Sequence, residues 1–184
     1  KRVNVFWWKT PGNFGDILTP FLLNKLGYQA TYVEPQTQRK LICIGSIARF
    51  IKKGDVVWGA GIMRDHDPIE KDATYLAVRG PLTGKKIGCN VYGDPGLLCS
   101  YFWPMEKVDT KPLGFIPHYV DYQKENTGGH DEIKLLNKNP VEVMQQVNKY
   151  DSIISSSLHG IIVAHSYGIP AGWWKPSNNC LLYT

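Results

Sequence analysis

Short hydrophobic runs that end in glycine recur along the first half of the chain. VNVFWW (3–8) leads into the turn TPGNFGD, after which ILTPFLLNKLG has helical spacing up to Gly27. Further strand-like runs follow: LICIG at 41–45, DVVWGAG at 55–61, TYLAVRG at 74–80 and NVYGD at 90–94. The segments SIARFI and PLTGKK between them are helical candidates. This alternation predicts an α/β fold with a parallel sheet, in which ligand-facing residues follow the carboxyl ends of strands.

A second series of the same kind begins after a polar segment with two prolines, WPMEKVDTKP, at 103–112. It predicts strands at 113–117 (LGFIP), 132–136 (EIKLL) and 152–155 (SIIS), and a helix over 140–150. QKENTGGHDE is expected to be a flexible surface loop. We therefore predict two lobes, 1–103 and 112–184. The second is short for an α/β lobe, because its first crossover has little room for a helix, and we expect it to be incomplete.

The stretch SIISSSLHGIIVAHSYGIP predicts a buried strand that turns through three serines into a helix. The helix is expected over Leu158–Tyr167, closed by Gly168 and stopped by Pro170, with Ser156 or Ser157 as its N-cap.

Four hydrogen-bonding side chains at the start of this helix indicate an anion site. The first turn of a helix has free backbone N–H groups and a partial positive charge, to which the hydroxyls and the imidazole of His159 add further donors for a phosphate or carboxylate. The lining set is Ser155, Ser156, Ser157, Leu158, His159 and Gly160. In the alternative interpretation one serine caps the helix, the others bind buried backbone groups, and His159 is structural. His165, farther along, is expected to be a hydrogen-bonded core histidine.

Composition narrows the function classes. With 43% hydrophobic and 20% charged residues the chain is globular, and it has no apolar run long enough to cross a bilayer. The net charge of +5 suits an anionic ligand, but the lysines are too scattered to indicate nucleic acid. The cysteines have no metal or disulfide spacing and are expected to be reduced core residues: Cys43, Cys89, Cys99 and Cys180. No secretory leader precedes the first strand, so a cytoplasmic setting is expected.

Five segments, in order, resemble the polysaccharide pyruvyl transferase family: NFGD, VVWGAGI, YLAVRGPLT, YGDPGLL and SSSLHGIIVAHSYGIP. The resemblance covers nearly the whole chain. It implies two Rossmann-like lobes similar to the glycosyltransferase-B type, with the active site in the cleft between them. It also implies transfer of the enolpyruvyl group of phosphoenolpyruvate, as a ketal, onto two hydroxyls of a sugar or lipid-linked oligosaccharide. Such acceptors belong to exopolysaccharide, capsule or cell-wall polymers, which leaves open an association with the inner face of the membrane.

By this resemblance no metal or cofactor is needed beyond phosphoenolpyruvate as co-substrate, and His159 is the candidate general acid. Asn13, Gly15 and Asp16 of NFGD would face the acceptor, and Asp16 would accept a hydroxyl proton or bind the hydroxyl. The alternative for Asp16 is an N-cap of a helix beginning near Ile17.

Two further residues, one in each predicted lobe, are candidates to bind a negatively charged group of a substrate. Arg79, after TYLAV, suits a carboxylate or phosphate, with a solvated or inter-lobe ion pair as the alternative. Many family members have an arginine at the end of the first strand of the second lobe, where this chain reads GFIPHY, and His118 is a candidate to replace that cation. Asp94 in YGDPGLL is expected to fix its turn.

The sequence is also compatible with three other functions. A nucleotide-sugar glycosyltransferase or sialyltransferase would use the same helix terminus for a nucleotide phosphate. A non-catalytic glycan-binding module would use exposed aromatic rings, for which Trp7, Trp8, Trp173 and Trp174 are candidates. A Ser–His hydrolase is disfavoured, because GxSxG is absent and Ser157 is too close to His159 in sequence. The oligomeric state is not predicted.

Overall fold

The computed structural model describes residues 1–122 and 131–175. It is an α/β protein with parallel sheets, so the predicted fold class is confirmed. The chain divides into two compact units. One comprises Lys1–Lys9 and Asp16–Pro95, and the other comprises Thr10–Gly15 and the described residues from Gly96 onward. The lobe boundaries 1–103 and 112–184 stay a prediction.

The first unit is built on a parallel sheet with the strand order β2-β1-β3-β4-β5. Its elements are β1 (Arg2–Phe6), α1 (Phe14–Lys25, whose first two residues belong to the other unit), β2 (Gln29–Tyr32), β3 (Leu41–Ile42), β4 (Val56–Trp58), β5 (Thr74–Ala77) and α2 (Pro81–Ile87). SIARFI forms only a 3-10 helix, Ala48–Phe50. NVYGD does not form a strand. It makes only a single isolated bridge, between Tyr92 and Val78.

The strands of the first unit are short, and a shared hydrophobic core stabilises them together with the loops that follow. Phe6, Ile42 and Val57 are buried at neighbouring positions of the sheet and pack against Ile47 and Ile62 from the loops that follow β3 and β4. Burial of a large apolar side chain contributes about 1.5–3 kcal/mol. The loops after the strands are therefore held by the same core as the strands.

The second unit contains a parallel sheet with the order β6-β7-β8. Its elements are α3 (Cys99–Phe102), β6 (Lys111–Ile116), α4 (Pro140–Val147), β7 (Tyr150–Ser155), α5 (Leu158–Ser166) and β8 (Ala171–Trp173). The predicted helix of the serine-rich stretch is confirmed to within one residue. Residues 123–130, which hold most of the predicted surface loop, lie outside the described residues.

The prediction of a strand at 132–136 is wrong. Ile133 and Leu135 are buried in the alternating manner of a strand, but the segment makes only one bridge to β6, between Phe115 and Glu132. Its backbone then leaves the sheet, because the amides of Leu135 and Leu136 donate to the hydroxyl of Tyr122. β6 instead pairs directly with β7, and α4 lies in the connection between them. The expected lack of room for a crossover helix therefore does not arise.

Two smaller predictions concern histidine and cysteine. His165 is exposed on α5, so the prediction of a core histidine is wrong. Cys43 and Cys99 are free and buried as predicted, Cys89 is free but half-buried, and Cys180 lies outside the described residues. None of the described helices is long and apolar enough to span a membrane.

Candidate active site

The start of α5 presents the predicted helix terminus. Ser157 is the N-cap, with the extended backbone that this position requires (φ −103°, ψ 132°), and its side chain makes no capping hydrogen bond. The first-turn amides of α5 therefore lack the usual hydroxyl acceptor from the N-cap residue. At the other end, Gly168 adopts φ +67°, the left-handed conformation that closes a helix.

The other two serines join the carboxyl ends of β6 and β7. The Ser155 hydroxyl donates to the carbonyl of Ile116 at 2.8 Å and accepts from the amide of Ser157 at 3.0 Å. The Ser156 hydroxyl accepts from the amide of His118 at 2.8 Å. These two hydroxyls thus bind buried backbone groups, as the alternative interpretation of the stretch expects, and they fix the loop on which His118 lies.

Helix α5 lies close to this strand junction because residue 160 is glycine. A Cβ atom at Gly160 would lie 2.3 Å from the Ser155 hydroxyl and 2.9 Å from Cγ2 of Ile116. Leu158, in the same turn, is half-buried. The close approach sets the position of the first turn of α5, and with it the position of His159.

The imidazole of His159 packs directly on the backbone of Gly15. A Cβ atom at Gly15 would lie 2.1 Å from both Cγ and Nδ1 of the ring, a distance that no side chain tolerates. His159 is 7% exposed. The structure therefore brings together Gly15 of the NFGD motif and His159 of the serine-rich motif, which are far apart in sequence but belong to the same unit.

His118 is the second imidazole of the site. Burial lowers its pKa; the charge of Asp121 opposes this shift, and that of His159 reinforces it. Its Nδ1 accepts a hydrogen bond from the amide of Val120 at 3.4 Å, which a protonated ring could not do. Both observations favour a neutral ring at neutral pH, so His118 differs in charge from the arginine that it was expected to replace.

Asn13 lies at the same end of α1 as Gly15 and is 5% exposed. A bridge between Asn13 and Leu136, together with a hydrogen bond from the Phe14 amide to the Leu135 carbonyl (2.8 Å), ties this turn to the rest of its own unit. Its side-chain oxygen Oδ1 is buried without a hydrogen-bond partner among the described residues. A buried acceptor of this kind is costly unless a donor reaches it.

Arg79 and Asp16 belong to the first unit. Arg79, beyond β5, is 7% exposed and donates to the Ser46 hydroxyl at 2.9 Å and the Ile62 carbonyl at 3.4 Å, so it is not a solvated residue. Burial lowers its pKa, and the charges of Asp94 and Asp16 oppose that shift.

The position of Asp16 also differs from the alternative proposed for it. Helix α1 begins at Phe14, so Asp16 lies within the first turn and is not an N-cap of a helix starting at Ile17. A carboxylate there still complements the positive end of the helix. Asp94 is buried near Arg79, in keeping with the structural role expected for it.

Tyr122 is the residue of this site that the sequence did not indicate. Its hydroxyl accepts from the amides of Leu135 (2.8 Å) and Leu136 (3.3 Å), the residues that pair with Phe14 and Asn13. It therefore supports the turn that carries Gly15. No local sequence signal marks such a contact, because it joins segments that only the fold brings together. Among the described residues no cluster suited to a metal ion is found.

Comparison with known proteins gives a family and one distant relative. A family model described as polysaccharide pyruvyl transferase matches residues 13–173. The chain is also similar to the protein named Uncharacterized protein L143 of Acanthamoeba polyphaga mimivirus, with 28% identity over 204 aligned positions that cover 94% of this chain and 67% of that protein. No solved structure matches.

Proposed function

Because the chain belongs to the polysaccharide pyruvyl transferase family, we propose that it transfers the enolpyruvyl group of phosphoenolpyruvate onto a sugar diol as a ketal. The observation that carries the proposal is the packing of His159 on Gly15 at the start of α5. This contact fixes a side chain that can transfer a proton in the first turn of a helix, where backbone N–H groups can bind an anion. All of these groups belong to one unit.

The reaction balances with one acid and one acceptor of protons. Protonation of the methylene carbon forms a methyl group and makes C2 electrophilic, so that a first hydroxyl adds there. Loss of phosphate and addition of the second hydroxyl then complete the ketal. Of the two hydroxyl protons released, one replaces the proton given to the methylene carbon and the other leaves with the phosphate. His159 is the proposed acid, a role worth about 10²–10⁴ in rate.

The donor site proposed here is the first turn of α5 with Ser157 and the neutral imidazole of His118. The Ser157 hydroxyl makes no capping bond within the helix, and His118 has its Nδ1 bonded to backbone, which leaves Nε2–H as its donor. Phosphate or carboxylate oxygens would accept from these groups and from the first amides of α5.

The acceptor hydroxyls would meet groups from the NFGD motif. The buried Oδ1 of Asn13 suits a hydroxyl donor, since among the described residues nothing bonds to it. Asp16 is the proposed carboxylate that binds a hydroxyl or accepts its proton, and Gly15 supplies the backbone on which the acid packs. Arg79 remains a candidate for a negatively charged group of either substrate.

The test is phosphate release from phosphoenolpyruvate in the presence of a panel of glycans. We expect release that depends on a glycan and falls at least about a hundredfold in His159→Gln. The matched control is His165→Gln, which changes an exposed histidine on the same helix and should leave the rate unchanged. Equal loss in both variants would refute the role of His159. Turnover of a nucleotide sugar in place of phosphoenolpyruvate would refute the proposal itself, as would glycan binding without any turnover.

A further inference from the structure

A group of aromatic side chains in the first unit has no role in the chemistry proposed above. Trp7 and Trp8 follow β1 directly, just past the carboxyl end of that strand. Their rings contact different partners: Trp7 packs edge-on against Tyr32 at 5.0 Å, and Trp8 stacks on Phe50 at 5.6 Å with 18° between the planes. We call Trp7, Trp8, Tyr32 and Phe50 the aromatic platform.

Trp8 is the exposed member of the platform whose ring is held in place. Besides the stacking on Phe50, it meets the buried ring of Phe6 edge-on at 6.4 Å. Even so, 39% of Trp8 remains exposed. A ring that is fixed before binding loses little conformational freedom when a ligand covers it. It also lies at the edge of the sheet where ligands of parallel α/β folds bind.

Two cations lie on the platform. The Lys9 ammonium is 3.2 Å from the centroid of Tyr32, and the Arg49 guanidinium is 4.8 Å from that of Phe50. In residues 1–122 and 131–175 no ion pair involves either of them. Among the described residues these charges lie on ring faces and form no ion pair, although the Glu34 carboxylate interacts with Tyr32, the ring that holds Lys9. A negatively charged ligand at Trp8 would gain from both.

We infer that the aromatic platform binds a pyranose ring that carries an acidic group, with the ring on Trp8 and the acidic group toward Arg49 and Lys9. The axial C–H bonds of a pyranose present a weakly positive, apolar face that complements the negative face of an indole. The inference rests on the proposed function in one respect, namely that the ring belongs to the sugar acceptor. A carboxylate of a uronic acid and a phosphate on a sugar would both supply the charge.

A protein partner fits this surface less well. Specific protein interfaces bury about 800 Å² on each partner, whereas the exposed aromatic surface here is centred on a single indole beside two cations. An acidic sugar needs only one ring face and one charge contact, and both are present.

The test is saturation-transfer NMR of the protein with three probes: methyl β-D-glucuronide, α-D-glucose 1-phosphate and the neutral methyl β-D-glucopyranoside. We expect both acidic probes to bind about threefold more tightly than the neutral glucoside, and the stronger of the two to identify the source of the charge. Trp8→Ala should weaken all binding about tenfold, and Trp8→Phe should restore part of it. Arg49→Gln should reduce the preference for acidic probes, and Arg49→Gln together with Lys9→Gln should remove it, while binding of the glucoside stays unchanged.

Tyr101→Ala is the control, because Tyr101 is an aromatic residue that is 77% exposed but lies on α3 in the other unit. Unchanged binding in Trp8→Ala would overturn the inference, as would a preference for acidic probes that survives Arg49→Gln together with Lys9→Gln. Trp8-dependent sedimentation with anionic phospholipid vesicles, without any sugar signal, would assign the platform to a membrane surface and would also overturn it.

The binding experiment needs no phosphoenolpyruvate, so the two proposals fail separately. Binding of acidic probes through Trp8 in a protein that releases no phosphate would leave the platform in place and refute the pyruvyl transfer. Glycan-dependent phosphate release that is unchanged in Trp8→Ala and Arg49→Gln would support the pyruvyl transfer and refute the role of the platform.

Discussion

The ion pair between Lys40 and Asp55 is buried at the start of β3 and β4. Its Nζ to Oδ2 distance is 2.5 Å, and both side chains are 0% exposed. The lysine also donates to the carbonyls of Thr37 (2.7 Å) and Phe50 (3.1 Å), which uses all three of its protons. The carboxylate accepts from the amides of Lys40 (3.0 Å) and Lys52 (2.7 Å). Burial lowers the pKa of Lys40, and the hydrogen bond and charge of Asp55 oppose that shift.

Removing one partner should cost much of the stability of the first unit. Asp55→Asn keeps the shape of the side chain but leaves the ammonium buried without its counter-charge, a change worth about 3–5 kcal/mol. Lys40→Met leaves the carboxylate with backbone donors only and should cost a similar amount. In Lys40→Met combined with Asp55→Asn no buried charge remains, so the cost should be smaller than the sum of the two single changes. Urea denaturation followed by circular dichroism measures all three.

The control is the pair between Lys53 and Asp72 in the same unit, with an Nζ to Oδ2 distance of 3.5 Å and side chains 73% and 65% exposed. Asp72→Asn should change the free energy of unfolding by less than about 1 kcal/mol, because exposed pairs are weak. If Asp55→Asn were no more destabilising than Asp72→Asn, or if the costs of Lys40→Met and Asp55→Asn simply added, the interpretation of a coupled buried pair would be refuted.

Three further predictions concern the second unit. Gly15→Ala should lower activity about a hundredfold by displacing the His159 ring, and a urea melt should show that His159→Ala recovers stability in the double variant, since the clash is then gone. Equal melting midpoints for single and double variants would contradict this. Gly160→Ala should destabilise by about 1–3 kcal/mol because the new methyl group meets the Ser155 hydroxyl, and a thermal melt that matches wild type would exclude the contact. The pKa of His118 is lowered in the folded state, so the stability contributed by the neutral ring is present above about pH 6.5 and is lost as the pH falls through the lowered value. Urea melts at pH 7.5 and 5.5 should therefore show a loss for wild type that His118→Gln lacks, and parallel losses would contradict the assignment.

Hydrophobic runs identified the central strands and the edge strands β5 and β6, but missed the edge strands β2 and β8. β4 (VVW) lies within the predicted run 55–61, and β7 begins two residues before the predicted strand at 152–155. β2 and β8 were missed, because an edge strand is held by backbone pairing on one side and QATY and AGW carry few large apolar residues. The segment EIKLL failed for the reverse reason: its alternating burial resembles a strand, but its amides bind a tyrosine hydroxyl.

The serine-rich stretch was predictable as a helix terminus because capping and glycine closure are local properties of the sequence. Which hydrogen bonds each serine makes was not predictable, because the partners of Ser155 and Ser156 lie on β6 and just after it. The exposure of His165 was likewise not predictable. Its sequence neighbours are apolar, and only the packing of α5 decides which face of the helix is exposed to solvent.

The contact between Gly15 and His159 changes what the NFGD motif means for function. From the sequence, Gly15 was a candidate to face the acceptor, on a separate lobe from His159. In the structure, residues 10–15 belong to the same unit as His159, and the glycine is needed because the imidazole occupies the space of a side chain. If His159 delivers the proton, the role of Gly15 is to leave space for the imidazole of this acid, and not to bind the sugar. A variant at Gly15 should then lower kcat while leaving the glycan KM nearly unchanged, whereas a variant at Asn13, with its buried acceptor oxygen, should raise that KM.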